Sequence, residues 1–207
     1  MDGGTKDGLW APHRRSLTIG LVLTITFIAS EALAVVTVMP LVARDLAGLS
    51  LYGWVFSAFM LASLVGIVVA GRDADRHGPA RPYVAGLVLF AAGLVVSGLA
   101  PSMPVLVVGR SLQGLGAGAV PAVAYVAIGR SLPASMQARM MAVLSTAWVV
   151  PGIVGPGLAA AIAHVFNWRW VFLGVVPLVA VAGPLALPSL VALGRPVSSS
   201  PPSSRTT

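Results

Sequence analysis

Two ionisable side chains lie inside long apolar stretches of this sequence, where charged residues are rare. Glu31 is the only Asp, Glu, Lys or Arg between Arg15 and Arg44, and Arg110 alone interrupts the uncharged run from Pro82 to Gly129. A carboxylate in a membrane must be protonated, paired with a cation or open to a wet cavity. Such a carboxyl group suits proton exchange during transport, and the alternative is a structural Glu bonded to a neighbouring helix.

Helix geometry places Glu31 and Arg110 at the same depth. A helix rises ~1.5 Å per residue, so a helix that begins near Ser16 carries Glu31 ~22 Å into a hydrocarbon core of ~30 Å, leaving ~8 Å to the far side. A helix that descends from that far side near Pro104 carries Arg110 ~9 Å down. The two side chains could therefore pair or compete for a proton, although Arg110 could instead extend to the membrane surface.

The apolar segments that position these side chains are long enough to cross a bilayer. The chain has 207 residues, of which 57% are hydrophobic and 9% charged. A spanning helix takes ~20 residues, and the sequence predicts an all-α membrane protein with six transmembrane helices. The first segment is longer than a signal-peptide core and lacks a clear cleavage site, so we expect it to be retained. The predicted spans are residues 17–41, 52–70, 82–100, 104–129, 138–163 and 169–190.

Basic residues concentrate on one side of these spans. Ten of the 13 Lys and Arg residues fall in the two tails and in the second and fourth loops. The positive-inside rule then places both termini in the cytoplasm of a multi-pass protein of the inner (plasma) membrane. The predicted organisation is a cytoplasmic tail over residues 1–15, a bundle over 16–191, and a Ser- and Pro-rich segment over 192–207. That last segment is expected to be a disordered tail or the start of a central linker.

Composition argues against several other function classes. The chain has no Cys, and its three His residues lack metal-ligand spacing, so we expect no metal site and no cofactor. The spans contain no paired carboxylates and no nucleophile with a base, so an enzyme is not expected. The net charge of +7 comes from short basic clusters beside apolar helices. Such clusters set topology, so no nucleic-acid partner is expected.

Small residues, prolines and tryptophans occupy characteristic places in the spans. Gly114 and Gly118 have the GxxxG spacing of closely packed helices. Pro151 and Pro156 each remove a backbone donor, which makes the fifth segment pliable, as in both static bundles and transporters. Tryptophans near span ends are expected to anchor in the headgroup layer: Trp10, Trp54, Trp168 and Trp170.

The segment between the second and third spans reads GRDADRHGPARP, from Gly71 to Pro82. Its small and charged residues predict a tight turn that carries both signs of charge. Taken alone, a solvated loop that fixes topology is a sufficient interpretation.

This loop resembles a motif of the major facilitator superfamily. It matches the family pattern GxLaDRxGRK at Gly71, Asp75, Arg76 and Gly78. It departs from the pattern at Asp73, where an apolar residue is usual, and at Pro79 and Ala80, where a basic pair is usual; Arg81 substitutes for that pair. In the family the loop helps to latch the two halves of the transporter together.

Motifs in four other helices extend the resemblance over the whole set of spans. The fourth span looks like the family signature RxxQGxGxG, which the family links to proton coupling: Arg110, Gln113, Gly114, Gly116 and Gly118. Gly155 and Pro156 resemble the core of the antiporter signature of the fifth helix, although Ala159 and Ala160 stand where glycines are common. The spacing of Glu31 and Pro40 and the sequence NWRW at residues 167–170 resemble the drug-exporter branch.

The resemblance implies a fold, a mechanism and a missing part. Family members have at least twelve spans in two six-helix halves, so this chain would be the N-terminal half of a twelve- or fourteen-helix architecture. It would need a second half or a second copy, because an isolated half is expected to expose Glu31, Arg110 and Gln113 to lipid.

The implied activity is proton-coupled efflux of an amphipathic or cationic small molecule by alternating access. Glu31 would take the proton and contact the substrate, Arg110 would tune its proton affinity, and Gln113 would donate hydrogen bonds. The glycines and Pro156 would shape packing and gating. Two alternatives stay open: a truncated, non-transporting fragment or interaction subunit, and uptake of a small metabolite by the same fold.

Overall fold

The computed structural model describes residues 12–193, with side chains from Arg15 onward. Most of the two predicted tails, and Trp10, lie outside these residues. The described part is all-helical apart from short connections, which confirms the predicted fold class. The helices are α1 (Pro12–Asp45), α2 (Tyr52–His77), α3 (Ala80–Gly98), α4 (Met103–Ser131), α5 (Ala134–Val165), α6 (Arg169–Leu173) and α7 (Val175–Leu193), with one turn of 3₁₀ helix at Leu49–Leu51.

Six helical segments of the described chain are long and apolar enough to cross a membrane. Helices α1 to α5 each form one span, and α6 and α7 together form the sixth, Arg169–Leu193. Several helices continue beyond the predicted ends, because the polar residues that flank the apolar runs do not break a helix.

The segment between α2 and α3 shows this effect most clearly. The predicted tight turn over residues 71–82 is wrong, because α2 continues to His77 and α3 begins at Ala80. The chain reverses at Gly78, whose φ of 87° is a conformation that glycine adopts without strain.

The helices form two groups of three spans. In one group α1 packs against α5 and α7, and in the other α4 packs against α2 and α3. The groups meet mainly where α3 contacts α6 and α7. Glu31 belongs to the first group and Arg110 to the second, so any bond between them joins the two groups.

Glycines bring α4 against the backbones of both its neighbours. A Cβ built at Gly114 would overlap the carbonyl oxygen of Phe59 on α2, and one at Gly118 would overlap that of Ser63. On the other side of α4, a Cβ at Gly116 would overlap the carbonyl oxygen of Gly86 on α3. This close approach fixes the height and rotation of α4, and with it the position of Arg110.

We predict that Gly118→Ala lowers the free energy of unfolding by about 1–3 kcal/mol, because the added methyl group forces α4 away from α2. Gly129→Ala on the same helix is the matched control, since a Cβ there meets nothing within 4 Å. Chemical unfolding in detergent micelles measures both variants. Equal stability of the two would show that the close α2–α4 contact does not constrain the bundle.

Candidate functional site

Glu31 and Arg110 form an ion pair inside the bundle. Arg110 Nη1 donates to Glu31 Oε1 at 2.7 Å, and the Arg110 and Glu31 side chains are 2% and 0% exposed. Glu31 and Arg110 thus contact each other, which is one of the alternatives that the sequence left open. The expectation that an isolated half exposes these groups to lipid is wrong, because the two groups of helices close around them.

Gln113 completes a three-membered polar cluster, which we call the Glu31 cluster (Glu31, Arg110 and Gln113). Gln113 lies three residues after Arg110 and therefore on the same face of α4. Its amide oxygen accepts from Arg110 Nη1 at 2.8 Å, and its Nε2 donates to Glu31 Oε1 at 3.1 Å. Glu31 Oε1 thus accepts two hydrogen bonds, both from α4.

Two side chains that the sequence did not single out support this cluster. Ser97 on α3 is fully buried, and its hydroxyl donates to Gln113 Oε1 at 3.3 Å. Phe59 on α2 places its ring centroid 4.2 Å from Arg110 Cζ, a cation–π contact. Neither residue carries a recognisable spacing signal, since Ser and Phe are ordinary in apolar helices.

Two atoms of the ion pair lack hydrogen-bond partners within the described residues: Glu31 Oε2 and Arg110 Nε. A buried polar atom without a partner costs free energy, so each such atom calls for an explanation. The free carboxylate oxygen can take a proton or accept a bond from a ligand without breaking the two bonds at Oε1. Glu31 Oε1 therefore carries both hydrogen bonds to α4, and Oε2 carries none within the described residues.

Glu31 also lines a cleft of about 270 Å³ between α1, α5 and the sixth span. The cleft wall is almost wholly apolar, with Phe27, Val154 and Trp170 among its larger side chains. The hydroxyl groups in the cleft wall belong to Thr26 and Ser30, and both donate to backbone carbonyl oxygens within α1. The cleft is therefore an apolar cavity with one ionisable residue, Glu31, in its wall.

The glycine of the fifth-helix motif lies beside this cleft. Gly155 is buried, and a Cβ built there would lie 4.0 Å from the carbonyl oxygen of Ser30, the residue before Glu31. The next residue, Pro156, is half-buried, and α5 remains one continuous helix through Pro151 and Pro156. An added Cβ would make only an ordinary van der Waals contact, so Gly155 lies beside the part of α1 that carries Glu31 but is not required for the approach of α5 to it.

The loop motif lies far from the Glu31 cluster. Asp75 Oδ1 pairs with Arg130 Nη2 at 3.3 Å, which ties the end of α2 to the end of α4. Arg130 follows Arg110 by twenty residues of helix, or about 30 Å. Gly71 and Arg76, at the end of α2, also take no part in the cluster. The structure thus separates the predicted residues into a buried centre and a surface contact.

Trp168 does not act as the expected interfacial anchor. Its ring is 5% exposed, and its Nε1 donates to Asp45 Oδ2 at 2.9 Å. The neighbouring Arg169 donates to the carbonyl oxygens of Gly98 and Ala100 and stacks on Trp168. The NWRW sequence therefore joins the sixth span to the end of α1 through the Asp45 side chain and to the end of α3 through backbone carbonyl oxygens. Trp54 and Trp170, in contrast, are more than half exposed.

Comparison with known proteins gives one family. The model of the Major Facilitator Superfamily matches residues 10–206. The chain is 33% identical over 159 residues to a multidrug transporter of Bacillus subtilis (strain 168), covering 77% of this chain and 29% of that protein. It is 32% identical over 182 residues to a probable multidrug-efflux transporter of Mycobacterium tuberculosis (strain ATCC 25618 / H37Rv), covering 87% of this chain and 38% of that protein.

The fold agrees with solved transporters of the same superfamily. The crystal structure of a D-xylose–proton symporter superposes with a TM-score of 0.73 at 16% identity, covering 83% of this chain and 47% of that one. An inward-open xylose transporter from E. coli superposes with a TM-score of 0.69, covering 48% of that chain. This chain belongs to the Major Facilitator Superfamily and has the six-helix architecture of one half of its fold.

Proposed function

We propose that this chain is the N-terminal half of a proton-coupled multidrug efflux transporter that works by alternating access. The relatives named as multidrug transporters support the substrate class, and the chain spans 29% and 38% of the length of the two described above. The transport path therefore requires a further six-helix half, or a second copy of this chain. In this arrangement the protein lies in the plasma membrane with both termini in the cytoplasm.

The observation that carries the proposal is the buried Glu31–Arg110 pair with its one free carboxylate oxygen. When Glu31 is ionised, Arg110 compensates part of its charge, and Oε2 is the carboxylate oxygen left to attract a substrate cation that enters the cleft beside Glu31. When Glu31 is protonated, the cation loses its attraction and leaves. Proton and substrate then compete for one oxygen atom, which is the requirement for exchange of one against the other.

The other residues of the site have supporting roles in this scheme. Arg110 adjusts the proton affinity of Glu31, and Gln113 holds the orientation of both side chains. Gly114 and Gly118 keep α4 seated on α2, while Gly155 and Pro156 shape the contact of α5 with α1. The loop motif of Gly71, Asp75, Arg76, Gly78 and Arg81 acts at the cytoplasmic end, where closure of the two halves depends on Asp75 and Arg76.

Everted membrane vesicles from cells that produce the protein test the function. With an acidic interior, vesicles that contain the protein are expected to accumulate ethidium, an amphipathic cation, and to lose it when an ionophore collapses the pH gradient. Equal ethidium accumulation with and without the pH gradient would contradict proton coupling. Gradient-driven movement of a small metabolite in the opposite direction would favour uptake.

The mass of the detergent-solubilised complex tests the requirement for a second half. The chain alone has a mass of 21.1 kDa. We expect a complex whose protein mass includes a further bundle or a second copy. A transport-inactive monomer of the chain alone would instead support a fragment or an interaction subunit.

A further inference from the structure

A second cleft, unrelated to the Glu31 cluster, lies between α3 and α7. This α3–α7 groove has a volume of about 250 Å³ and is lined by residues that include Val84, Val88 and Ala91 on α3 and Ala180, Gly183 and Pro184 on α7. Val88 is 61% exposed, so the groove opens on the outer surface of the described bundle. Every lining side chain except Tyr83 is apolar.

The Tyr83 hydroxyl is already engaged. It donates to the carbonyl oxygen of Gly183 at 3.3 Å and lies 3.2 Å from the hydroxyl of Thr24. The groove therefore offers no free polar side chain, and its occupant must be a hydrocarbon. Gly183 allows Leu87 of α3 to lie close against α7 in the groove, because an added Cβ would lie 2.5 Å from Leu87 Cδ1.

The cationic side chain of Arg81 lies on α3, just before the residues that line the groove. Arg81 precedes Val84 by three residues and Val88 by seven, so all three share one face of α3. Its side chain is 71% exposed, and its Nε lies 3.8 Å from Asp73 Oδ2, a long surface pair that contributes little. The third span begins at Ala80, which puts Arg81 at the boundary between the hydrocarbon and the headgroups.

The distance along α3 from Arg81 to the far end of the groove matches the hydrocarbon thickness of one leaflet. From Arg81 to Ala91 the helix rises ~15 Å, half of a ~30 Å hydrocarbon core. We propose that the α3–α7 groove binds one anionic phospholipid, with an acyl chain in the groove and the headgroup phosphate against Arg81. This proposal does not rest on the proposed transport activity, although Arg81 also belongs to the loop motif, so its test measures lipid binding rather than transport.

Two observations favour a lipid over a protein partner in this groove. First, α2 and α5 are the least buried spans of the described bundle, with 22% and 17% of their apolar windows covered, so they are the natural surfaces for a second half. Second, an apolar helix in the groove would leave Arg81 with only its long surface pair to Asp73, whereas an anionic headgroup adds a counter-charge at the membrane boundary.

Native mass spectrometry of the purified protein, with phosphatidylglycerol or phosphatidylcholine added to the micelles, tests the site. Wild-type protein should retain phosphatidylglycerol in preference to phosphatidylcholine. Arg81→Gln should lower phosphatidylglycerol retention about fivefold, the factor expected for loss of one Arg near an anionic surface. Arg72→Gln is the matched control, because Arg72 is also exposed but lies near the end of α2 rather than on the face of α3 that carries Val84 and Val88; its retention should stay near the wild-type value.

A groove-filling variant separates the acyl chain from the headgroup. Ala180→Phe places a ring in the groove and should lower retention of both lipids. All variants are first matched to wild type by circular dichroism and gel filtration. Wild-type retention by both Arg81→Gln and Ala180→Phe would overturn the proposal. So would a bound polypeptide that stays with the wild type and is lost from Ala180→Phe, since the groove would then be a protein interface.

Discussion

Glu31→Gln is expected to reduce proton-driven ethidium accumulation to the background of vesicles that lack the protein. Gln is close in shape to Glu and can still accept hydrogen bonds from Arg110 and Gln113 through its amide oxygen. It cannot, however, exchange a proton or attract a cation. The loss of transport is therefore compared at equal amounts of folded protein, because Gln also leaves the buried Arg110 charge without its counter-charge and lowers stability.

Glu31→Asp is the informative companion. Its carboxyl group can still exchange a proton but is one methylene shorter, so the contact with Arg110 at 2.7 Å should loosen. We expect partial activity with an altered dependence on pH. Equal accumulation by wild type and Glu31→Gln would remove Glu31 from the proton pathway and leave it a structural residue.

Arg110→Met is expected to lower the free energy of unfolding by about 3–5 kcal/mol, because it leaves the Glu31 carboxylate buried without its counter-charge. Arg110 is one of the largest fully enclosed side chains of the described bundle, and Phe59 stacks against it. Met fills similar volume, so the loss reports charge rather than a cavity. Unfolding in detergent gives the measurement.

The double variant Glu31→Gln/Arg110→Met distinguishes an ion pair from two independent contributions. Removal of both charges should restore much of the stability lost in Arg110→Met, since no uncompensated carboxylate remains. If the losses of unfolding free energy in the two single variants add in the double variant, the contact between the side chains carries no coupling energy. The double variant should still fail to transport.

The central pair could be predicted from the sequence because helix geometry is regular. Two charges in otherwise apolar spans, and a fixed rise per residue, were enough to put Glu31 and Arg110 at one depth. The six spans could be predicted from hydrophobicity alone, since a segment that crosses a bilayer as a single helix must be long and mostly apolar. The order of motifs then led from the spans to the superfamily.

Other features depend on tertiary packing and could not be predicted in this way. The contacts of Ser97 and Phe59 follow from the rotation of α3 and α2 about their axes, which glycine contacts on α4 determine. The burial of the Glu31 cluster follows from closure of the two helix groups, whereas the sequence suggested only that polar side chains need a partner. Trp168 was taken as an interfacial anchor because position along the chain does not reveal that Asp45 lies beside its N–H.

The ion pair has a mechanical consequence that either residue alone would not have. Glu31 is on α1, which packs with α5 and α7, and Arg110 is on α4, which packs with α2 and α3. A change in the charge of Glu31 therefore changes the attraction between the two helix groups and, in the proposed function, the affinity for a cation. This arrangement offers a physical route from a proton to a movement of the bundle.

Proton release on substrate binding tests the central claim most directly. Ethidium is added to purified protein in weakly buffered solution, and the protons released are measured over a range of pH. Competition for Glu31 Oε2 predicts release that approaches roughly one proton per bound cation for the wild type and disappears in Glu31→Gln. Equal release by both proteins, or binding to the wild type with no release at any pH, would contradict the account.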